Sequence, residues 1–262
     1  MYGTISLQEF KDNQNYRDNF SLNDIFFKGI ISKEPLSDIL FFDNSNYFRD
    51  SKTANEHGNL YNMLINEMLS WKQLPLRKKS IIFTNSQNTA RAFAIPRPAI
   101  NYNHAKLYCV LPRVGAKIII SPKSDLWFSF EKFFADIGIR KLSYNLTDFN
   151  VSVSELAKVY NIVDYDQSIE SFENLLIRIQ KDKDFVGKLG IESTLIKDRI
   201  LAYGGDSLKN LDTLFSPKNN NFQCYRLGVD KIPELTNREI WTDDQCILID
   251  YSIFEKILEE LK

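Results

Sequence analysis

Apolar residues recur with two different spacings along this chain, and the change between them marks out its elements. The clearest strand signal is Ser-Ile-Ile-Phe-Thr over 80–84, β-branched and aromatic, directly after the basic run Arg77-Lys78-Lys79. A second strand is predicted over 107–111, a turn over 112–115 and a third strand over 116–120, with a short helix of small residues over 88–94 that Pro96 and Pro98 end. Before this block, Leu60, Met63, Leu64, Met68, Leu69 and Trp71 recur at helical spacing and Pro75 closes the run. After it, Trp127, Phe128, Phe130, Phe133 and Phe134 form an aromatic helical face that core packing explains.

The flanks read differently. Residues 1–58 are polar and rich in Asn and Asp, with two apolar pieces, 24–27 and 38–42, that suit buried strands or short helical turns. Residues 152–212 carry helical periodicity, with helices over 168–189 and 191–203 and Gly204-Gly205 as the stop. A loop over 216–221 precedes strands over 223–229 and 240–249, and 254–261 reads as a closing helix. Short strands beside separate helical runs predict an α+β chain. The expected architecture is one domain over 1–262 with a pair of small, strongly twisted, antiparallel-rich sheets built from 80–120 and 223–249. Residues 1–58 form an irregular N-terminal segment in this reading, and 152–212 a helical insertion packed outside the sheets.

Composition narrows the function classes. In 262 residues, 33 Lys and Arg face 34 Asp and Glu, for a net charge of −1, so no global field draws the chain to nucleic acid or anionic lipid and any such site is local. Met1 leads into Tyr2-Gly3-Thr4 with no basic and apolar leader, and the apolar runs are too short to span a bilayer. These features predict an intracellular, cytoplasmic protein with no membrane partner, the cytoplasm being a host's if the protein is viral. Cys109, Cys224 and Cys246 are odd in number and have apolar neighbours, which predicts three reduced and mostly buried thiols. With only His57 and His104 besides, no spacing suits a metal.

One block carries a family resemblance. Phe83-Thr84-Asn85-Ser86, then Ala90 and Phe93-Ala94, then the strand over 107–111 with Pro112, Gly115 and Lys117, resembles the central part of ADP-ribosyltransferases of the Arg–Ser–Glu type. The match covers residues 80–120, about a sixth of the chain. Tyr47-Phe48-Arg49 resembles that family's early Arg strand, although Asp50 stands where the family has Gly, and Arg77 is a rival for the same role. Asn237-Arg238-Glu239-Ile240-Trp241 resembles its late strand, with Glu239 in the catalytic place and Asn237 where arginine-modifying members carry Glu or Gln. The resemblance implies an ADP-ribosyltransferase-like fold, NAD as substrate, Arg49, Ser86 and Glu239 as catalytic residues, and Arg77 and Thr84 as NAD-binding residues. It also implies mono-ADP-ribosyl transfer to a host protein or nucleic acid, or plain NAD hydrolysis.

Independent chemistry suits these residue types. Cleaving the nicotinamide–ribose bond builds oxocarbenium character on the sugar, which a carboxylate such as Glu239 stabilises. An Arg matches the pyrophosphate with its planar fork of donors. Two other readings stand beside this one. In the first, the chain is a non-catalytic structural or interaction protein, viral in one version, with Ser86 only capping a helix and Glu239 only a solvated partner of Arg238. In the second, it is a nucleic-acid enzyme or binder that uses Arg77-Lys78-Lys79.

Overall fold

The computed structural model describes residues 2–17, 25–46, 65, 68–126, 129, 174, 178, 212, 213 and 215–261. Within these lie nine strands: β1 (Tyr2–Thr4), β2 (Phe26–Ser32), β3 (Ile39–Phe42), β4 (Ile81–Thr84), β5 (His104–Pro112), β6 (Lys117–Ile120), β7 (Gln223–Arg226), β8 (Glu239–Thr242) and β9 (Cys246–Asp250). The helices are α1 (Leu7–Asp12), α2 (Gln14–Arg17), α3 (Gln87–Phe93) and α4 (Tyr251–Leu261). The chain divides into two compact units, one formed by 1–48, 74–125 and 223–262, the other by 49–73 and 126–222.

The first unit is built on a single nine-stranded sheet in the order β1-β3-β9-β5-β2-β4-β8-β6-β7, with every neighbouring pair antiparallel. This confirms a mixed chain with a large antiparallel sheet. It corrects the expected pair of small sheets, because strands of the 1–58 segment join the same sheet. That segment is not irregular where it is described: β2 pairs with β5 over seven residues, from Phe26↔Val110 to Ser32↔His104. The predicted strand over 240–249 is two strands, β8 and β9, which are not neighbours in the sheet. The intervening Asp243 and Asp244 turn the chain, with the Asp243 carboxylate accepting from the Leu76 N–H and the Asp244 N–H donating to Thr242 Oγ1.

Alternation along the strands gives the sheet two apolar faces. One carries Phe26, Leu40, Phe83, Val110, Ile118, Ile240 and Leu248. The other carries Ile39, Cys109, Leu111, Ile247 and Ile249, covered by Phe254 and Ile257 of α4. β9 is buried at every position, hence its unbroken apolar run Cys-Ile-Leu-Ile. α3 lies close against β2 at Gly29, where a Cβ would stand only 2.2 Å from the Ala90 carbonyl oxygen. α1 begins with a reciprocal cap: Ser6 Oγ accepts from the Glu9 N–H and Glu9 returns a carboxylate to the Ser6 N–H.

In the second unit, Trp71 meets Phe222 edge-to-face at 5.0 Å between ring centroids and donates its indole N–H to the Phe215 carbonyl. Ser70 is held by the Asp212 carboxylate. The predicted aromatic face over 127–134 and the helices over 168–189 and 191–203 lie outside the described residues, apart from Ser129, Asn174 and Arg178. No described helix is long and apolar enough to cross a membrane.

Candidate active site

The candidate residues meet where β4 and β8 lie side by side. Their register pairs Ile82 with Trp241, Phe83 with Ile240 and Thr84 with Glu239, so Thr84 and Glu239 sit opposite each other on one face. Thr84 is a buried hydroxyl. Its Oγ1 accepts the Ser86 N–H at 3.1 Å, which bends the chain out of β4. Ser86 is the N-cap of α3, its Oγ accepting from the Thr89 N–H at 3.2 Å.

Asn85 bolts the end of β4 to the approach to β8. Its Nδ2 donates to the Leu235 carbonyl at 2.7 Å and its Oδ1 accepts the Arg238 N–H at 2.6 Å. One residue earlier, Asn237 has a φ of 49°, the left-handed region that Asn tolerates better than most residues. Its Oδ1 accepts the Thr89 hydroxyl at 2.7 Å. A turn conformation and a bond to α3 therefore account for Asn at 237. This bracing by Asn85 and Thr89 went unread in the sequence, although Thr-Asn-Ser after a strand is a turn-forming composition.

Arg77 occupies a short 3-10 turn, Arg77–Lys79, just before β4. Its Nη2 lies 2.7 Å from Glu239 Oε1, with side-chain exposures of only 9% and 13% for the two partners. The guanidinium also lies over the Trp241 ring, 5.7 Å from its centroid, and the Trp241 indole donates to the Pro75 carbonyl. The Glu239 backbone is fixed on its other side, its N–H donating to the Lys123 carbonyl and its carbonyl accepting from the Ser121 N–H.

The structure thus brings Thr84, Ser86 and Glu239 to one end of two adjacent strands, and the Arg77 side chain reaches Glu239 from before the start of β4. Arg49 lies outside the described residues. Glu239 is a partly buried partner of Arg77, not a solvated partner of Arg238. Arg77 is turned inward, so Arg77-Lys78-Lys79 does not present its three cations together to solvent. Removing one member of this pair is destabilising, because the other charge stays partly desolvated without a partner.

Elsewhere, Lys106 Nζ bridges Asp38 at 2.6 Å and Asp250 at 2.7 Å. Asp250 in turn accepts from the N–H and hydroxyl of Ser252 at the start of α4. Cys109 and Cys246 are buried, but Cys224 on β7 is exposed, which corrects the expectation of three mostly buried thiols. β7 is the last strand of the sheet among the described residues, and most of its positions are exposed. Among the described residues no group of three or more His, Cys, Asp or Glu could hold a metal ion. Comparisons with protein-family models, curated proteins and solved structures find no match for this chain.

Proposed function

We propose that this protein has an ADP-ribosyltransferase-like fold and cleaves the nicotinamide–ribose bond of NAD, passing ADP-ribose to a macromolecular acceptor or to water. One observation carries the reading: Glu239 lies directly across from Thr84, with Arg77 on its carboxylate. In the proposed reaction the C–N bond breaks with its electron pair moving to the nicotinamide nitrogen, which neutralises the ring's positive charge. The acceptor's nucleophilic atom, or water oxygen, then bonds to the ribose carbon and loses a proton. Glu239 stabilises the positive charge that builds on the ribose between these events. Thr84 and Ser86 hold the turn that follows β4, which Asn237 and Thr89 tie to the approach to β8. Arg77, or its rival Arg49, supplies donors for the pyrophosphate.

A second reading, a non-catalytic interaction protein, is favoured by the closure of the same pair. Arg77 and Glu239 shield each other, and a pyrophosphate that recruits Arg77 must draw it partly away from Glu239. Calorimetric titration with NAD separates the two. The catalytic reading predicts measurable binding by wild type and at least about tenfold weaker binding by R77A or R49A, whichever removes the charge-assisted phosphate contact. Absence of NAD binding by folded wild type transfers the case to the non-catalytic reading. Binding that R77A leaves intact and R49A abolishes assigns the phosphate to Arg49 alone.

A further inference from the structure

The chain's charges are distributed far less evenly than its net charge suggests. Between Glu67 and Asp125 there is no Asp or Glu at all, while ten Lys or Arg occur there, so all 34 carboxylates lie outside this stretch. Arg77 and Lys106 are bound to carboxylates brought from elsewhere in the fold. Arg91 and Arg97 are different: both are exposed, and no carboxylate of the described residues pairs with them.

Arg91 lies in the last turn of α3, its guanidinium 6.0 Å from the Tyr251 ring centroid, and Arg97 lies in the arm that runs from the end of α3 to β5. Residues 91–103 are exposed throughout, except for partly covered Ala94 and Tyr102. The arm is closed by reciprocal backbone hydrogen bonds between Arg97 and Tyr102, with a 3-10 turn, Pro98–Ile100, and a left-handed Asn101 at its tip. Phe93, Ile95 and Ile100 on it are 59%, 58% and 55% exposed. Three large apolar side chains exposed within eight consecutive residues, 93–100, make a local apolar surface suited to being covered by another phase or molecule. Lys33 adds a cation at the base, its ammonium 6.0 Å from the Tyr102 ring centroid.

We propose that the last turn of α3 and the arm after it, 91–103 together, dock onto an anionic lipid surface, with Phe93, Ile95 and Ile100 entering the headgroup region and Arg91, Arg97 and Lys33 meeting the lipid phosphates. Charge complementarity selects an anionic occupant. The aliphatic majority selects lipid over single-stranded nucleic acid, whose bases stack on aromatic rings, whereas two of the three apolar side chains here are isoleucines. Tyr102, the other ring on the arm, is already paired with Lys33. The expectation of no membrane partner rested on whole-chain charge and on the length of apolar runs; a local peripheral contact needs neither a net positive chain nor a spanning helix.

Co-sedimentation of the full chain with vesicles tests this without reference to NAD. The chain pellets with vesicles of phosphatidylcholine and phosphatidylserine in equal parts, stays in solution with phosphatidylcholine alone, and is released by added salt. The pairs I95N with I100N, and R91Q with R97Q, each weaken the partition at least about tenfold, with circular dichroism matching wild type. I100W, which removes nothing the contact needs, adds tryptophan emission that shifts to shorter wavelength on the mixed vesicles. Failure to pellet with the mixed vesicles overturns the proposal, as does pelleting that both double variants retain, or an I100W emission that does not shift. So does binding to a single-stranded oligonucleotide, or self-association, that I95N with I100N abolishes while no vesicle is bound.

Discussion

Lys106 shows how one cation can set the chain's response to both ends of the pH range. Burial opposes its charge, but the hydrogen bonds and charges of Asp250 and Asp38 outweigh burial and raise its ammonium above the ordinary value. Burial likewise works to raise the Asp250 carboxyl, yet the bonds from Lys106 and Ser252 win and hold it below the usual carboxylate range. A lowered folded value means stability that is present above the unfolded value, about 3.9, and is lost as pH falls through the folded one. The raised lysine contributes stability below about 10.4 that is lost as pH climbs through its folded value. Urea unfolding should therefore show K106M less stable than wild type at neutral pH, with a smaller further loss on acidification below about pH 4. An acid limb of wild-type size in K106M would show that Asp250 gains nothing from the lysine. Cys224 gives a second test at this scale. Partial desolvation raises its thiol, with Lys117 opposing and Asp230 assisting. A native alkylating reagent should modify one cysteine per chain, faster as pH rises, and C224S should abolish it; rapid loss of Cys109 or Cys246 would contradict their burial. The apolar neighbours of Cys224 predicted burial because sequence shows what flanks a residue, not that its strand is the last in a sheet.

Between elements, the decisive contact is α3 against β2. The absence of a side chain at Gly29 lets the α3 backbone approach, since an added Cβ would meet Ala90, Phe93 and Ala94 backbone atoms at 2.2 to 2.8 Å. Backbone cannot rotate aside, so G29A must push away the helix whose first turn Ser86 caps. A loss of about 2–3 kcal/mol is expected from such overpacking, read as a lower urea midpoint. G3A, which meets only the Phe41 carbonyl oxygen at 3.9 Å, should move the midpoint little. An unchanged midpoint in G29A would mean that α3 does not pack as described. The strand–helix–strand order of 80–120 was legible because β4, α3, β5 and β6 each carry a local signal: β-branched runs, a Ser cap, Pro96 and Gly115. The division of 240–249 into β8 and β9 was not, because Asp243 and Asp244 act through partners far away in sequence, Leu76 and Arg113.

For the molecule as a whole, the main sheet depends on pairings that no local pattern encodes. β3 joins β9 across some two hundred residues, and the polar 1–58 segment supplies three strands, of which alternation left β2 and β3 ambiguous and gave no sign of β1. The site was partly legible for the same reason that it is compact: Thr84 and Ser86 sit at the end of a strongly patterned strand, and Glu239 opens another. What the sequence could not show was that these two strands are neighbours, that Asn85 and Thr89 brace the turn between them, and that Arg77 closes over Glu239. The account stands or falls on Glu239, whose proposed work is done mainly in the transition state, so its loss should appear in turnover more than in binding. The direct measurement is release of free nicotinamide from labelled NAD by wild type and by E239Q. The account predicts release by wild type and none by E239Q, with NAD affinity roughly retained. No release by folded wild type that binds NAD, or equal release by E239Q, would contradict it.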